Sequence, residues 1–102
     1  MRGMGNMQGM MKQMQKLQKE MGKAQEALNE KVFTANISQV VEVTFTGDKK
    51  MQGIKIKPEA VDPEDLETLE EVIMLGVNDC LNQIAKETEK TMGKYAKGIP
   101  GL

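Results

Sequence analysis

Met7, Met14, Met21 and Leu28 stand seven residues apart, and Met10, Leu17 and Ala24 interleave with them at the same spacing. Seven residues make two helical turns, so both rows fall on one stripe, the a and d positions of just over three heptads. The stretch contains no Pro, and Gln, Lys, Met and Glu dominate it, all good helix formers. Residues 6–31 therefore read as one long helix with an apolar seam along one side. Gly9 and Gly22 each weaken it by up to about 1 kcal/mol, and Gly3 and Gly5 loosen its start. A seam of this length must find apolar surface to lie against, either in the rest of the chain or in a second copy.

The period then changes to two. Val32–Ile37 reads as a first strand, and Val41, Val43 and Phe45 alternate with Glu42, Thr44 and Thr46. After the turn residues Gly47-Asp48-Lys49-Lys50, Ile54 and Ile56 alternate with Lys55 and Lys57. A turn centred on Asp48 and Lys49 sets Val43 opposite Ile54 and Val41 opposite Ile56. On the other face it sets Glu42 opposite Lys55. One register thus pairs apolar with apolar and acid with base, which predicts a hairpin. Pro58 closes its second strand.

Residues 62 to about 96 read as a second long helix. Asp62 suits the N-cap, Pro63 the first helical position, and Glu64 and Asp65 the first turn, where acids complement the helix dipole. Leu66, Leu69, Ile73, Val77, Cys80 and Ile84 form the apolar stripe. The expected architecture is α+β, in the order α-β-β-β-α: a long N-terminal helix, a three-stranded antiparallel sheet and a long C-terminal helix. Residues 1–102 form a single domain, with 1–5 and 98–102 as flexible tails.

Composition narrows the chemistry. The chain has no His, which removes the commonest general base and zinc ligand. Its single Cys, Cys80, rules out a disulfide framework and a Cys-cluster metal site; it lies on the apolar stripe and reads as a buried, inert thiol. Asp62, Glu64 and Asp65 are accounted for as cap charges. No catalytic residue, metal, cofactor or small-molecule substrate is expected, and the chain does not read as an enzyme. Phe33, Phe45 and Tyr95 are too few for a base-stacking platform. No apolar run approaches the roughly 18 residues of a membrane span. Met1 to Asn6 lead into a polar segment with no apolar core, so no secretory signal is expected and the location expected is cytoplasmic.

Ten Met and three aromatics make a soft core for so small a domain. A homodimer is expected, with Met14, Leu17, Met21, Leu28, Val41, Val43, Ile54 and Ile56 as core or dimer positions. The Met stripe (Met4, Met7, Met10, Met11, Met14 and Met21) serves as that seam or as an adaptable groove for partner peptides; a Cu(I) thioether site would want Cys or His nearby.

Charge is unevenly distributed beneath a net value of −1. Residues 1–31 carry Arg2 and five Lys against three Glu, whereas residues 59–79 carry eight acids and no base. At about 100° per residue, Lys12, Lys16, Lys19 and Lys23 share one narrow face nearly opposite the seam. Lys86, Lys90, Lys94 and Lys97 share a face of the second helix, opposite Val77, Ile84 and Tyr95. Such stripes are either solvated helix faces or tracks for a phosphate backbone. Arg2 is the only Arg and lies ahead of both predicted helices, so bidentate reading of guanine is not expected. Lys49 and Lys50, at the hairpin tip, are further candidates for phosphate contact.

The run Met10-Met11-Lys12-Gln13-Met14-Gln15-Lys16-Leu17-Gln18-Lys19-Glu20-Met21 resembles the first helix of the YbaB/EbfC family of bacterial nucleoid-associated proteins. Val41-Glu42-Val43-Thr44 with Gly47, Ile54-Lys55-Ile56, Asp62–Leu69 with Glu70-Glu71-Val72-Ile73, Val77-Asn78-Asp79, Met92-Gly93 and the ending Gly98–Leu102 resemble that family's later segments, in order. Two places depart from it: Asn36-Ile37-Ser38-Gln39 stands for a Gly-rich connection, and Lys57 for an Asp before the hairpin-ending Pro. The resemblance implies a small homodimer with projecting helices that binds double-stranded DNA with little or modest sequence preference and helps organise the nucleoid or regulate genes. Lys12, Lys16, Lys19, Lys23, Lys86, Lys90, Lys94 and Lys97 are the candidate DNA-binding residues. The alternative is a protein-interaction adaptor that docks a partner through its Met-rich helix; an RNA binder is a weaker third.

Overall fold

The computed structural model describes the backbone of residues 2–97 and the side chains of residues 7–93 and of Tyr95. The element order is α1 (Arg2–Glu30), β1 (Val32–Ile37), β2 (Val41–Thr46), β3 (Met51–Ile56), a 3-10 turn (Pro58–Ala60) and α2 (Leu66–Lys97). The α+β reading and its order hold. Helix α1 begins four residues ahead of the expected start and takes in Arg2. The expected tail at 98–102 lies outside the described residues.

The sheet is antiparallel in the order β1-β2-β3. Glu42 pairs with Lys55, Val43 with Ile54 and Val41 with Ile56, the register expected from the alternation. A bulge between Thr44 and Phe45 then shifts Phe45 onto Met51. β1 joins β2 through a three-residue turn, residues 38–40, in which Val40 N–H donates to Ile37 O (2.9 Å). Ser38 (φ 54°) and Gln39 (φ 58°) both take the left-handed conformation that a tight hairpin of this kind demands. This is where the family resemblance led one to expect Gly.

α2 begins at Leu66 rather than at Asp62. Asp62 instead starts a turn of its own: Glu64 N–H donates to Asp62 Oδ1 (2.9 Å) and Asp65 N–H to Asp62 O (3.0 Å). The cap is Asp65, whose carboxylate accepts from Thr68 N–H (3.4 Å) and Thr68 Oγ1–H (2.6 Å). With three acids and a Pro within four residues, the position that meets the helix backbone wins, and this lies one turn later than composition suggested.

α2 lies across one face of β1 and β2 and runs antiparallel to β1. Gly76 faces Val43 and Ile37, Gln83 Nε2 donates to Thr34 O (3.1 Å), and Glu87 pairs with Lys31. The core comprises Leu28, Phe33, Ala35, Val41, Val43, Phe45, Val72, Cys80 and Ile84. Cys80 is fully buried, its thiol directed at Val43 O (3.4 Å), and burial raises its pKa, in line with an inert thiol. Ile54 and Ile56 share the face of Val43 and Val41 but remain 39% and 38% exposed, because among the described residues α2 does not reach β3. They are not core positions of a single chain. Gly47 sits where β2 meets the end of α1; its N–H donates to Lys31 O (2.9 Å), and the space a Cβ would need is taken by Leu28 O.

Candidate nucleic-acid interface

Beyond the sheet the two helices continue side by side, and the molecule is long and thin, 78 × 21 × 14 Å. The groove between them brings Gln25 and Asn29 of α1 near Ala85, Thr88 and Glu89 of α2. Burial follows the heptads. Leu28 is buried, while Ala24, Met21 and Leu17 are half-buried; on α2, Ile84 is buried and Thr88, Thr91, Met92 and Tyr95 are half-buried. The pairing is therefore antiparallel, with the α1 seam against the C-terminal half of α2.

Lys12, Lys16, Lys19 and Lys23 are all exposed. On the wheel they lie about 160° from the seam. They span eleven positions, about 16 Å of helix. Lys86 and Lys90 are exposed on the side of α2 turned away from its own seam. The two lysine faces thus lie on opposite sides of the helix pair and do not join into one surface. The side chains of Lys94 and Lys97 lie outside the described residues. Among the described residues the ion pairs are Lys31–Glu87 (2.9 Å) and Lys50–Asp48 (3.8 Å), so none of Lys12, Lys16, Lys19, Lys23, Lys86 and Lys90 stands in an ion pair with a described carboxylate.

In the sequence Lys49 is a turn charge and no more than a further candidate for phosphate contact. In the fold it has φ 66° and lines the groove between α1 and α2, beside Gln25, Asn29 and Thr88. Its neighbour Asp48 accepts from Thr46 Oγ1–H, which is the first cause of its lowered pKa, with Lys50 adding charge. Sequence alone places Lys49 at a hairpin tip; only the packing of the tip against the helices places it at the root of the arm.

The acids lie elsewhere. Glu59, Asp62, Glu64, Asp65, Glu67, Glu70 and Glu71 are exposed around the start of α2, at the far end of the sheet. Leu66 to Glu87 is 21 positions, about 32 Å of helix. Among the described residues no cluster of Cys, Asp or Glu has metal-holding geometry, and no helix is long and apolar enough to cross a membrane.

A family model, the YbaB/EbfC DNA-binding family, matches residues 4–99. This chain belongs to the YbaB/EbfC family. It is similar to a protein of Enterococcus faecalis named nucleoid-associated protein, 61% identical over 100% of this chain and 99% of the relative. A nucleoid-associated protein of Ligilactobacillus salivarius is 54% identical over 100% of this chain and 98% of its own length. One from Streptococcus pyogenes serotype M1 is 50% identical over 95% and 99%. The resemblance read from residues is therefore correct at the level of family, and the YbaB/EbfC match takes in α1, the sheet and α2 together.

Proposed function

We propose that this protein is a cytoplasmic, nucleoid-associated DNA-binding homodimer that holds duplex phosphates through its exposed lysine faces, with little or modest sequence preference. The observation that carries this is the separation of charge along the long axis. The exposed face of Lys12, Lys16, Lys19 and Lys23 lies on the arm, and the acidic start of α2 lies beyond the sheet. The acids that give the chain its net charge of −1 are thus kept away from a duplex laid along the arm. About 16 Å of helix matches roughly five base-pair steps, enough for several ammonium–phosphate contacts. Lys acts on phosphate as a point charge, so such contacts position the protein without selecting bases.

The second copy covers β3, whose outer edge is unpaired and whose Met51, Ile54 and Ile56 are exposed in a single chain. That surface, together with family membership, supports the dimer. The exposed Met7, Met10 and Met14 favour a second reading, an adaptor that docks a partner through α1.

Gel-shift titration of several duplexes of unrelated sequence at two salt concentrations separates the readings. The DNA-binding reading predicts similar affinity for all duplexes, falling steeply with salt. No duplex binding at low salt contradicts it and favours the adaptor.

A further inference from the structure

The apolar seam of α1 is longer than the cover that α2 gives it. Leu28 is buried and Met21 and Leu17 are half-buried, whereas Met14, Met10 and Met7 are 57%, 60% and 63% exposed. All six lie on one stripe, with Met7, Met14, Met21 and Leu28 at a positions and Met10 and Leu17 at d positions. A helix–helix interface thus continues along α1 past the point where α2 covers it. The flanks of the exposed part carry no charge. Met11 and Gln13 stand on either side of it, at e and g, and the charged residues within 7–16 are Lys12 and Lys16, at the outward f and c positions.

We propose that the Met7, Met10 and Met14 face of α1 pairs with the same face of a second copy, antiparallel, with Met7 of each copy against Met10 of the other. This contact is additional to the one proposed at β3. A heptad seam calls for a helix along it, and the same face brings the same spacing to an isologous pair. A partner with charged flanks would set them against Met11 and Gln13, which offer no countercharge, whereas a second copy brings flanks that are equally neutral. The register also leaves room for α2. Arg2 of the incoming helix lies level with residue 15, short of Leu17, where the cover of α2 begins. The overlap, residues 2–15 of each copy, is two heptads or about 21 Å. Pairing of that length is weak in dilute solution and strengthens where several copies are held side by side. Lys12, Lys16, Lys19 and Lys23 stay open, and the two copies turn them in opposite directions. On the DNA-binding reading one such contact holds two duplexes together; the contact itself does not rest on that reading.

The test follows methyl-labelled Met in the full chain, without DNA, on dilution from millimolar to micromolar concentration. The expected result is that the Met7, Met10 and Met14 signals shift together, while Met74, exposed on the first half of α2, stays fixed; Met51 on β3 reports the other contact separately. Met7→Glu with Met10→Glu, both at exposed positions, should abolish the shift at Met14 and leave the behaviour of Met51 unchanged. Three signals that stay fixed throughout in the parent overturn the proposal, whether or not the protein binds DNA. A mixture shows what the face touches. Copies with a nitroxide on Gln13→Cys and no methyl label are mixed with methyl-labelled copies, all carrying Ile54→Asp to weaken the β3 contact; Cys80 is fully buried and stays unlabelled. Loss of signal at Met7 and Met10 is expected. Loss at Met74 in their place, which puts the arm on another surface, or no loss at all, overturns the proposal.

Discussion

Lys31 Nζ lies 2.9 Å from Glu87 Oε1 and 5.7 Å from the centre of the Phe33 ring, where the sheet gives way to the paired helices. The hydrogen bond from Lys31 holds the Glu87 carboxylate below its ordinary pKa of 4.5, and the charge of Lys31 adds to it. A depressed carboxylate pKa contributes stability above the unfolded value, and that contribution is lost as pH falls through the folded one. Glu87→Gln should therefore melt below the parent at pH 7, and the difference should close below about pH 4. The contribution is small, since the pair is largely solvated. Melting curves at pH 7 and pH 3 check this, and a gap that persists at pH 3 assigns it to packing.

Gly47→Ala should be costly for a different reason. The new Cβ would fall 1.7 Å from Leu28 O, a main-chain atom that cannot swing aside. A loss on the order of 3 kcal/mol is expected. Gly53→Ala, with nothing within 4 Å of its Cβ, is the control and should leave the urea midpoint nearly unchanged.

Gln39→Gly should stabilise the protein. Gln39 holds φ 58° in the β1–β2 turn, a conformation that costs a side chain about 1 kcal/mol and glycine almost nothing. The melting temperature should rise by roughly 5 °C. No rise would mean that the Gln39 side chain returns what its backbone loses.

Val43 and Ile54 face each other across the hairpin yet should respond differently to Asp. Val43 is 0% exposed, so Val43→Asp buries a charge without a partner and should unfold the chain. Ile54 is 39% exposed, so Ile54→Asp should leave the fold and weaken self-association. In sedimentation equilibrium the parent should give about twice 11.3 kDa, and the variant should move towards 11.3 kDa. A folded parent that stays at the lower mass contradicts the dimer.

The hairpin was legible because two independent alternations, apolar and charged, agreed on one register, and Glu42 does face Lys55. The start of α2 was not: Asp62 and Asp65 carry the same capping chemistry, and only backbone geometry chooses between them. Nor was the exposure of Ile54 and Ile56, since their pattern fixes a face while the placement of α2 over β1 and β2 decides which strands are covered. Of the candidate interface, the alignment of Lys12, Lys16, Lys19 and Lys23 follows from helical spacing alone. That the α2 lysines point the other way, and that Lys49 sits at the root of the arm, depends on how the two helices pair.

The most direct test of the account is duplex binding by the variant in which Lys12, Lys16, Lys19 and Lys23 are all changed to Gln, which keeps helix propensity and removes charge. Affinity should fall about equally for unrelated duplexes. The slope of log K against log salt should flatten by about 0.9 for each phosphate the variant no longer neutralises, several phosphates in all. A folded variant that binds with unchanged affinity and unchanged salt slope would contradict the account and leave the α1 lysines as a solvated face.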